Sequence, residues 1–392
     1  MDGTHDIVIP PGTAWLEDPA AQAVCAAVAA GGYDVFFVGG CVRNALLGLP
    51  DSDVDLSTNA RPEEVTRLAE AAGLKAIPTG VEHGTITVVA QGQPFEVTTF
   101  RKDVETDGRR AVVAFSDSIE EDARRRDFTM NALYAKADGT VLDPLGGLPD
   151  LMARRVRFIE NPQARIREDY LRILRFFRFS AWYAAHDAGF DADTLDAIAR
   201  NTDGLAQLSA ERIGQEMAKL LAAPDPAPAL AVMGQTGVLQ EILPGSDSRF
   251  VAPLVHVETA LGLSPNWITR LAALGGEDAP ERFRMSKADS KALAVLGEVG
   301  FGGPGLAEVA YRHGAEVAKA AAALRAVLAE QMPDLGLLET VSAASSAVFP
   351  VKAADLMPAY QGPALGNRLA ALEAAWIASD FKLSKAELLA LP

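Results

Sequence analysis

The stretch 38-VGGCVRNALLGLPDSDVD-55 decides how the rest of this chain is read. Phe36-Phe37-Val38 leads into it as the end of a buried apolar strand. Gly39 and Gly40 carry no Cβ, so the backbone can turn sharply there and approach a ligand closely. Cys41 to Leu49 follows as a short helix, with Val42, Ala45, Leu46 and Leu49 on one face. A glycine pair opening a helix presents free N–H groups and the positive end of the helix dipole, which suits a phosphate.

Asp53 and Asp55 close the stretch, one residue apart. If 53–57 is a strand, both carboxylates point to the same face. They repel each other unless a cation lies between them. Mg²⁺ suits such a site, because it takes oxygen ligands from one or two carboxylates and from substrate phosphates. A pair of metal ions held this way can grip the attacking and leaving oxygens of a phosphoryl transfer. An isolated Asp-x-Asp reads more simply as a solvated turn; its place just after strand, glycine pair and helix favours the metal.

Composition sets the frame around this stretch. A chain of 392 residues exceeds what one core usually holds, which predicts two to four domains or subdomains. An apolar content of 49% suits a packed globular protein, and no apolar run is long enough to span a membrane. The N-terminal MDGTHDIVIPPG has neither a basic nor an apolar leader segment. Cys25 and Cys41 are too few for a disulfide framework or a zinc site, so a reduced, cytoplasmic setting is expected. The net charge of −16 argues against a general nucleic-acid binder. The charge is uneven, however: 154–178 holds eight arginines against Glu160, Glu168 and Asp169. Such a strip can hold a phosphate backbone while the acidic remainder keeps the protein in solution.

Along the chain, residues 18–31 predict an alanine-rich helix ended by Gly31-Gly32, and a further helix opens near Pro62 and stops at Gly73. Residues 83–89 and 94–100 alternate as two strands about a turn at 91–93. Glu96 shares a face with Thr98, where it either joins Asp53 and Asp55 as a third carboxylate or faces solvent. The segment 101-RKDVETDGRR-110 has no apolar periodicity and is expected to be a mobile loop. Asp122 is placed to cap the helical segment after it. Two last strands lie near 133–135 and 141–143, joined by an Asp138-Gly139 turn. From Leu151 the pattern is almost wholly helical, with 168–183 expected as one helix and 210–222, capped by Ser209, as another. His256 and the pair His186-Asp187 lack the partners a metal site needs.

Five blocks of this chain, in order, carry a family resemblance. They are Gly39-Gly40-Cys41-Val42-Arg43 with Asp53 and Asp55; Arg125 to Ala132; Asp143-Pro144-Leu145-Gly146-Gly147 with Asp150-Leu151; Glu168-Asp169 with Arg172 and Arg175; and Glu211-Arg212-Ile213 with Glu216. On them the chain resembles the class II tRNA nucleotidyltransferases, the bacterial CCA-adding enzymes and their poly(A) polymerase relatives, over roughly residues 30–220.

The resemblance implies an α+β fold: a polymerase-β type head with a mixed sheet, followed by an all-α neck, body and tail. The expected segments are 1–147 for the head, 148–222 for the neck, 223–300 for the body and 301–392 for the tail. It implies addition of C, C and A to the 3′ end of tRNA from CTP and ATP, with Mg²⁺ as the cofactor. Asp53 and Asp55 would hold the metal, with Glu96 as the third catalytic carboxylate. Gly39, Gly40 and Arg43 would hold the triphosphate. Asp127 would read the ribose, with Arg126 and Asn131 lining the same pocket. Asp169 and Arg172, with Arg175 on the same polar stripe, would read the base edge. The partners implied are RNA and nucleotides, with no DNA and no membrane, and the chain would act as a monomer or homodimer.

One position departs from the family pattern, which usually has an acid after the arginine; here it is Asn44. Asn44 is therefore expected to act structurally, not as a metal ligand. A poly(A) polymerase on the same fold is the near alternative, although the C-terminal FKLSKAELLALP has no basic tail. A CC-only or A-only enzyme is another; the CC-only type lacks the charged loop that 101–110 supplies here. A non-catalytic RNA-binding descendant would have no need of two apposed carboxylates.

Overall fold

The computed structural model describes residues 7–50, 52–107, 110–185, 188–334 and 336–392, with side chains described outside 103–113. The chain forms two compact units, 1–209 with 236–241, and 210–235 with 242–392. Residues 1–209 of the expected head and neck fall in the first unit, and residues 210–222 of the expected neck fall in the second. The helix Ala210–Leu221 belongs to the second unit for a reason. Arg270, 1% exposed, donates to the carbonyls of Leu221, Ala223 and Pro224 beyond that helix end, and pairs with the buried Glu258 at 2.8 Å. A buried guanidinium so placed satisfies carbonyls that the helix end leaves without intrahelical partners.

The first unit is built on a seven-stranded mixed sheet in the order β3-β4-β5-β2-β1-β8-β9. Its strands are β1 Val35–Val38, β2 Asp55–Thr58, β3 Lys75–Gly80, β4 Thr85–Ala90, β5 Gln93–Thr99, β8 Tyr134–Ala135 and β9 Val141–Leu142. A separate ladder pairs β6 Arg101–Asp107 with β7 Arg110–Phe115. The turns expected between β4 and β5 and between β8 and β9 are present. Gln91 and Gly92 both have positive φ (50° and 83°), as a tight hairpin requires.

β1 is apolar throughout because it is buried throughout; Phe37 is fully enclosed and packs on Trp15 at 4.6 Å. The sheet register does the positioning. Val38 stands opposite Asp55 across an antiparallel pair, and Asp55 stands opposite Glu96 across a parallel one. The last residue before the glycine turn, the second aspartate and the candidate third carboxylate therefore lie in one row.

The 101–110 segment differs from expectation. Residues 101–107 form a strand paired with 110–115. A two-stranded ladder is held by backbone hydrogen bonds, so it does not need the apolar alternation whose absence suggested a loop. The second unit is helical in its regular structure among the described residues. Its apolar side chains gather in successive clusters, around Leu254 and Leu324, around Val309 and Val341, and around Trp376 and Leu388.

Candidate active site

The glycine turn opens a cleft of about 540 Å³, lined by Gly39, Gly40, Arg43, Ser52, Asp53, Asp55, Arg126, Asp127, Asn131, Asp169, Arg172, Arg175, Arg178 and Phe179. Gly39 has φ 73° and ψ −117°, a conformation that side chains with a Cβ rarely adopt. A Cβ on Gly40 would lie 2.7 Å from the Ser52 hydroxyl. The helix runs Gly40–Leu47, shorter than expected, because Gly48 takes a left-handed φ of 64° and Leu49 N–H turns back to the Asn44 carbonyl at 2.9 Å. Gly39 and Gly40, at its start, line the cleft, and a helix start is where an anion is favoured.

β2 begins at Asp55, so Asp53 precedes the strand, yet both aspartates line the cleft. The Asp55 carboxylate reaches solvent at the cleft mouth but has protein on most sides. Burial pushes its pKa up to about 6, the Glu96 charge adds to this, Arg126 opposes it and Asp53 adds again. Glu96 is exposed and lies outside the cleft lining, although it is the register partner of Asp55. The donor set is thus two cleft carboxylates backed by a third negative charge, which fits a divalent cation. No three His, Cys, Asp or Glu side chains converge as a closed cage among the described residues. Further ligands would have to come from phosphate oxygens and water, the usual habit of Mg²⁺.

Arg126 and Asp127 come from the turn after the helix Ile119–Arg124. Asp122 is not the cap it was expected to be; Ser118 caps that helix by accepting from Glu121 N–H. Asp122 is fully buried inside the helix and accepts from Arg125 Nε (2.8 Å), Arg126 Nη2 (3.0 Å), Tyr134 Oη (2.8 Å), Ser57 Oγ (3.3 Å) and Arg101 N (3.3 Å). Burial alone would raise its carboxyl, but the Arg126 and Arg125 charges hold it well below the ordinary carboxylate range. It aims Arg126 and ties the root of β6 to the strand that carries Asp55. No periodicity could have shown this, because Asp122 sits at an ordinary acidic helix position.

Asp127 accepts from Arg175 Nε at 2.7 Å, from Asn131 Nδ2 at 3.0 Å and from Phe128 N–H at 2.9 Å. Burial would raise its carboxyl, but the Arg175 charge and these bonds hold it below its ordinary value. Asn131 turns its other side to Arg43, accepting from Nη1 at 2.6 Å. Asp150 braces the same loop from behind, accepting from Thr129 Oγ1 and Arg157 Nε, both at 2.8 Å. Asp143 accepts from Gly147 and Leu148 N–H groups at the start of the helix Leu148–Met152. The third block is therefore scaffold.

The expected single helix over 168–183 is two helices, Pro162–Glu168 and Leu171–Tyr183. Asp169 breaks it, with φ −155° and ψ 107°, and accepts from Leu171 N–H at 3.1 Å. Such a side-chain turn competes with the helix for the same donors. Arg165, one turn earlier, is not among the cleft-lining residues. Its side chain is 7% exposed and donates to the carbonyls of Arg125 and Arg126 at 2.6 Å. Glu168 pairs with both Arg165 and Arg172. Asp169, Arg172 and Arg175 still reach the cleft, joined by Arg178 and Phe179, which the sequence reading passed over. The spacing 172, 175, 178 was the available signal. Arg155 and Arg157 pair with Asp150, so part of the basic strip is turned to internal acids. His186 and Asp187 lie outside the described residues.

Comparison with known proteins follows the same layout. Residues 35–157 match the model of the poly A polymerase head domain, and 189–250 match that of a probable RNA- and SrmB-binding site of polymerase A. The CCA-adding enzyme of Geobacillus stearothermophilus is 44% identical over 276 residues, covering 68% of this chain and 66% of that protein. The chain belongs to the class II CCA-adding enzyme and poly(A) polymerase head family. The mitochondrial CCA tRNA nucleotidyltransferase 1 of Danio rerio is 39% identical over 266 residues, 65% of this chain and 61% of that one. The chain thus spans less than two thirds of the length of these curated relatives. A crystal structure of the Bacillus stearothermophilus CCA-adding enzyme in complex with CTP superposes with a TM-score of 0.71, at 29% identity over 95% of this chain and 97% of that one. The fold is shared more widely, with a Thermotoga maritima CCA-adding enzyme complexed with tRNA at TM-score 0.68 and 17% identity. No helix among the described residues is long and apolar enough to cross a membrane.

Proposed function

We propose that this chain adds C, C and A to the 3′ end of tRNA from CTP and ATP, without a template strand, releasing pyrophosphate. The observation that carries the reading is the content of one cleft. It unites a glycine turn at a helix start, two apposed aspartates, an acid–arginine–asparagine cluster, and the Asp169 and Arg172 pair. Each part has a separate task. The glycine N–H groups and Arg43 hold the triphosphate. Asp127 and Asn131 meet the ribose. Asp169 and Arg172 present an acceptor and donors to the base edge, complementary to the N4 amino group and the O2 and N3 acceptors of cytosine. Glu168 and the carbonyls of Arg165 and Arg125 fix the Arg172 guanidinium, so the base meets a preset pattern.

Asp53 and Asp55 would hold Mg²⁺, with Glu96 adding its charge from the neighbouring strand. When bound, the metal supplies charge stabilisation for the transferring phosphoryl group. The chain's own residues orient the triphosphate against the incoming 3′ hydroxyl. A cytoplasmic setting accords with Cys25 and Cys41 being free, buried thiols. The test is direct. Incubate the protein with Mg²⁺, tRNA ending at the discriminator base, and labelled CTP or ATP, singly and together, and read product length. Two C then one A is the expected result. A long A tract would assign polyadenylation instead, and a stop after two C would assign a partial enzyme.

A further inference from the structure

Arg43 is 5% exposed, and among the described residues the acceptors of its guanidinium are neutral. Nε and Nη2 donate to Asn44 Oδ1 at 3.1 and 2.9 Å, and Nη1 donates to Asn131 Oδ1 at 2.6 Å. Nη2 also donates to the Tyr183 hydroxyl at 2.8 Å, and the Tyr183 ring stacks on the guanidinium at 4.0 Å, with Phe179 at 5.2 Å. Asn44 is itself locked, donating from Nδ2 to the Pro50 carbonyl at 2.8 Å. Among the described residues no carboxylate hydrogen-bonds Arg43. A buried guanidinium is normally paired with an acid, because an uncompensated charge is costly to bury. Here geometry is fixed from three sides while the charge is left whole, which suits a site that waits for an anion.

Tyr183 is the last residue of the helix Leu171–Tyr183, whose first turn carries Arg172. Its contact with Arg43 spans 140 residues of sequence. We propose that Tyr183 is a positioning residue: with Asn44 it holds Arg43 as a full, oriented cation for the polyphosphate, and it links the helix carrying Arg172 to the phosphate end of the cleft. The inference rests on the nucleotidyl-transfer reading for its substrate, but its core claim concerns a polyphosphate anion and can be tested without transfer.

The probe is inorganic tripolyphosphate with Mg²⁺, titrated calorimetrically into the full chain. Tyr183→Phe keeps the ring and removes the hydroxyl; it should weaken binding about three- to tenfold, the usual net reach of one hydrogen bond. Tyr183→Ala should weaken it further. Asn44→Asp, which places a carboxylate against Arg43, should weaken it as well. In an Arg43→Ala background, Tyr183→Phe should have no further effect, since its action passes through that arginine. In tRNA extension, Tyr183→Phe should raise KM for CTP and ATP alike, leaving kcat and the CTP/ATP preference nearly unchanged. A merely structural tyrosine would instead lower the active fraction and leave KM alone. Wild-type tripolyphosphate affinity in Tyr183→Phe, or an undiminished effect in the Arg43→Ala background, overturns the inference. If tripolyphosphate binding follows the expected pattern but no nucleotide is added to tRNA, the transfer reading fails and the positioning role stands.

Discussion

Replacing Asp122 by asparagine should loosen the first unit and misaim Arg126 together. The carboxylate takes five donors, two of them guanidinium groups. Asparagine keeps the shape but offers one acceptor oxygen and turns an NH₂ toward groups that already donate. Breaking a buried ion pair by removing one partner costs about 3–5 kcal/mol. The Arg125 and Arg126 side chains keep 17% and 19% exposure, so water recovers part of the stranded charge, and the lower end, about 3 kcal/mol, applies. With a urea slope of about 2–3 kcal/mol/M, the midpoint of the first unit should fall by about 1–1.5 M.

The two units need not unfold together, so the readout is hydrogen exchange in urea on peptides covering 35–58. The pH dependence adds a second check. The Asp122 carboxyl lies below its ordinary value of 3.8 in the folded state. Its contribution is therefore complete above that value and is lost as the pH falls toward the folded pKa. The wild-type advantage over Asp122→Asn should stay flat from about pH 8 to about pH 5 and shrink below 3.8. A difference below about 0.5 kcal/mol at neutral pH, the size of an ordinary surface change, would show that Asp122 does not hold these arginines.

Three further outcomes are expected. Asp53→Ala and Asp55→Ala should each abolish nucleotide transfer and leave tRNA affinity nearly intact; turnover above about a tenth of wild type, a loss of only ~1.4 kcal/mol, would refute the metal assignment. Asp55→Asn should raise thermal stability in the presence of a chelator. The folded carboxyl titrates near 6 against 3.8, so the charged form is the disfavoured one: the gain should be full above about 6 and vanish below 3.8, as a melting series across pH would show. Asp169→Ala or Arg172→Ala should relax base choice and admit UTP or GTP, because a mismatched buried hydrogen-bond pair costs ~1–3 kcal/mol, roughly ten- to hundredfold; single-nucleotide incorporation assays that kept wild-type preference in both variants would place base choice elsewhere.

Local chemistry made much of this protein legible in its sequence. Gly39 and Gly48 mark where the backbone must take a positive φ, and Gln91-Gly92 and Asp138-Gly139 mark tight turns. These are demands of a few adjacent residues, so the order strand, glycine turn, helix, aspartate pair could be read without any partner in view. The sequence likewise determined that a carboxylate pair would stand beside the glycine turn, since both lie within one stretch of the chain.

The partners of the charged side chains were decided only in three dimensions. Arg165 and Arg172 look alike in the sequence, yet Arg165 turns inward to two backbone carbonyls while Arg172 lines the cleft. Asp122 looks like a helix cap and is a buried hub; Glu96 looks like a cleft carboxylate and is exposed beside it. The helix break at Asp169 arises because its side chain takes the Leu171 N–H. Arg43 and Tyr183 meet across the head and the long helix with nothing in their surroundings to announce it. An ionic or polar side chain of several rotatable bonds takes whichever partner the packed elements bring within about 3 Å. That choice depends on strands and helices remote in sequence, and it belongs to the tertiary structure alone.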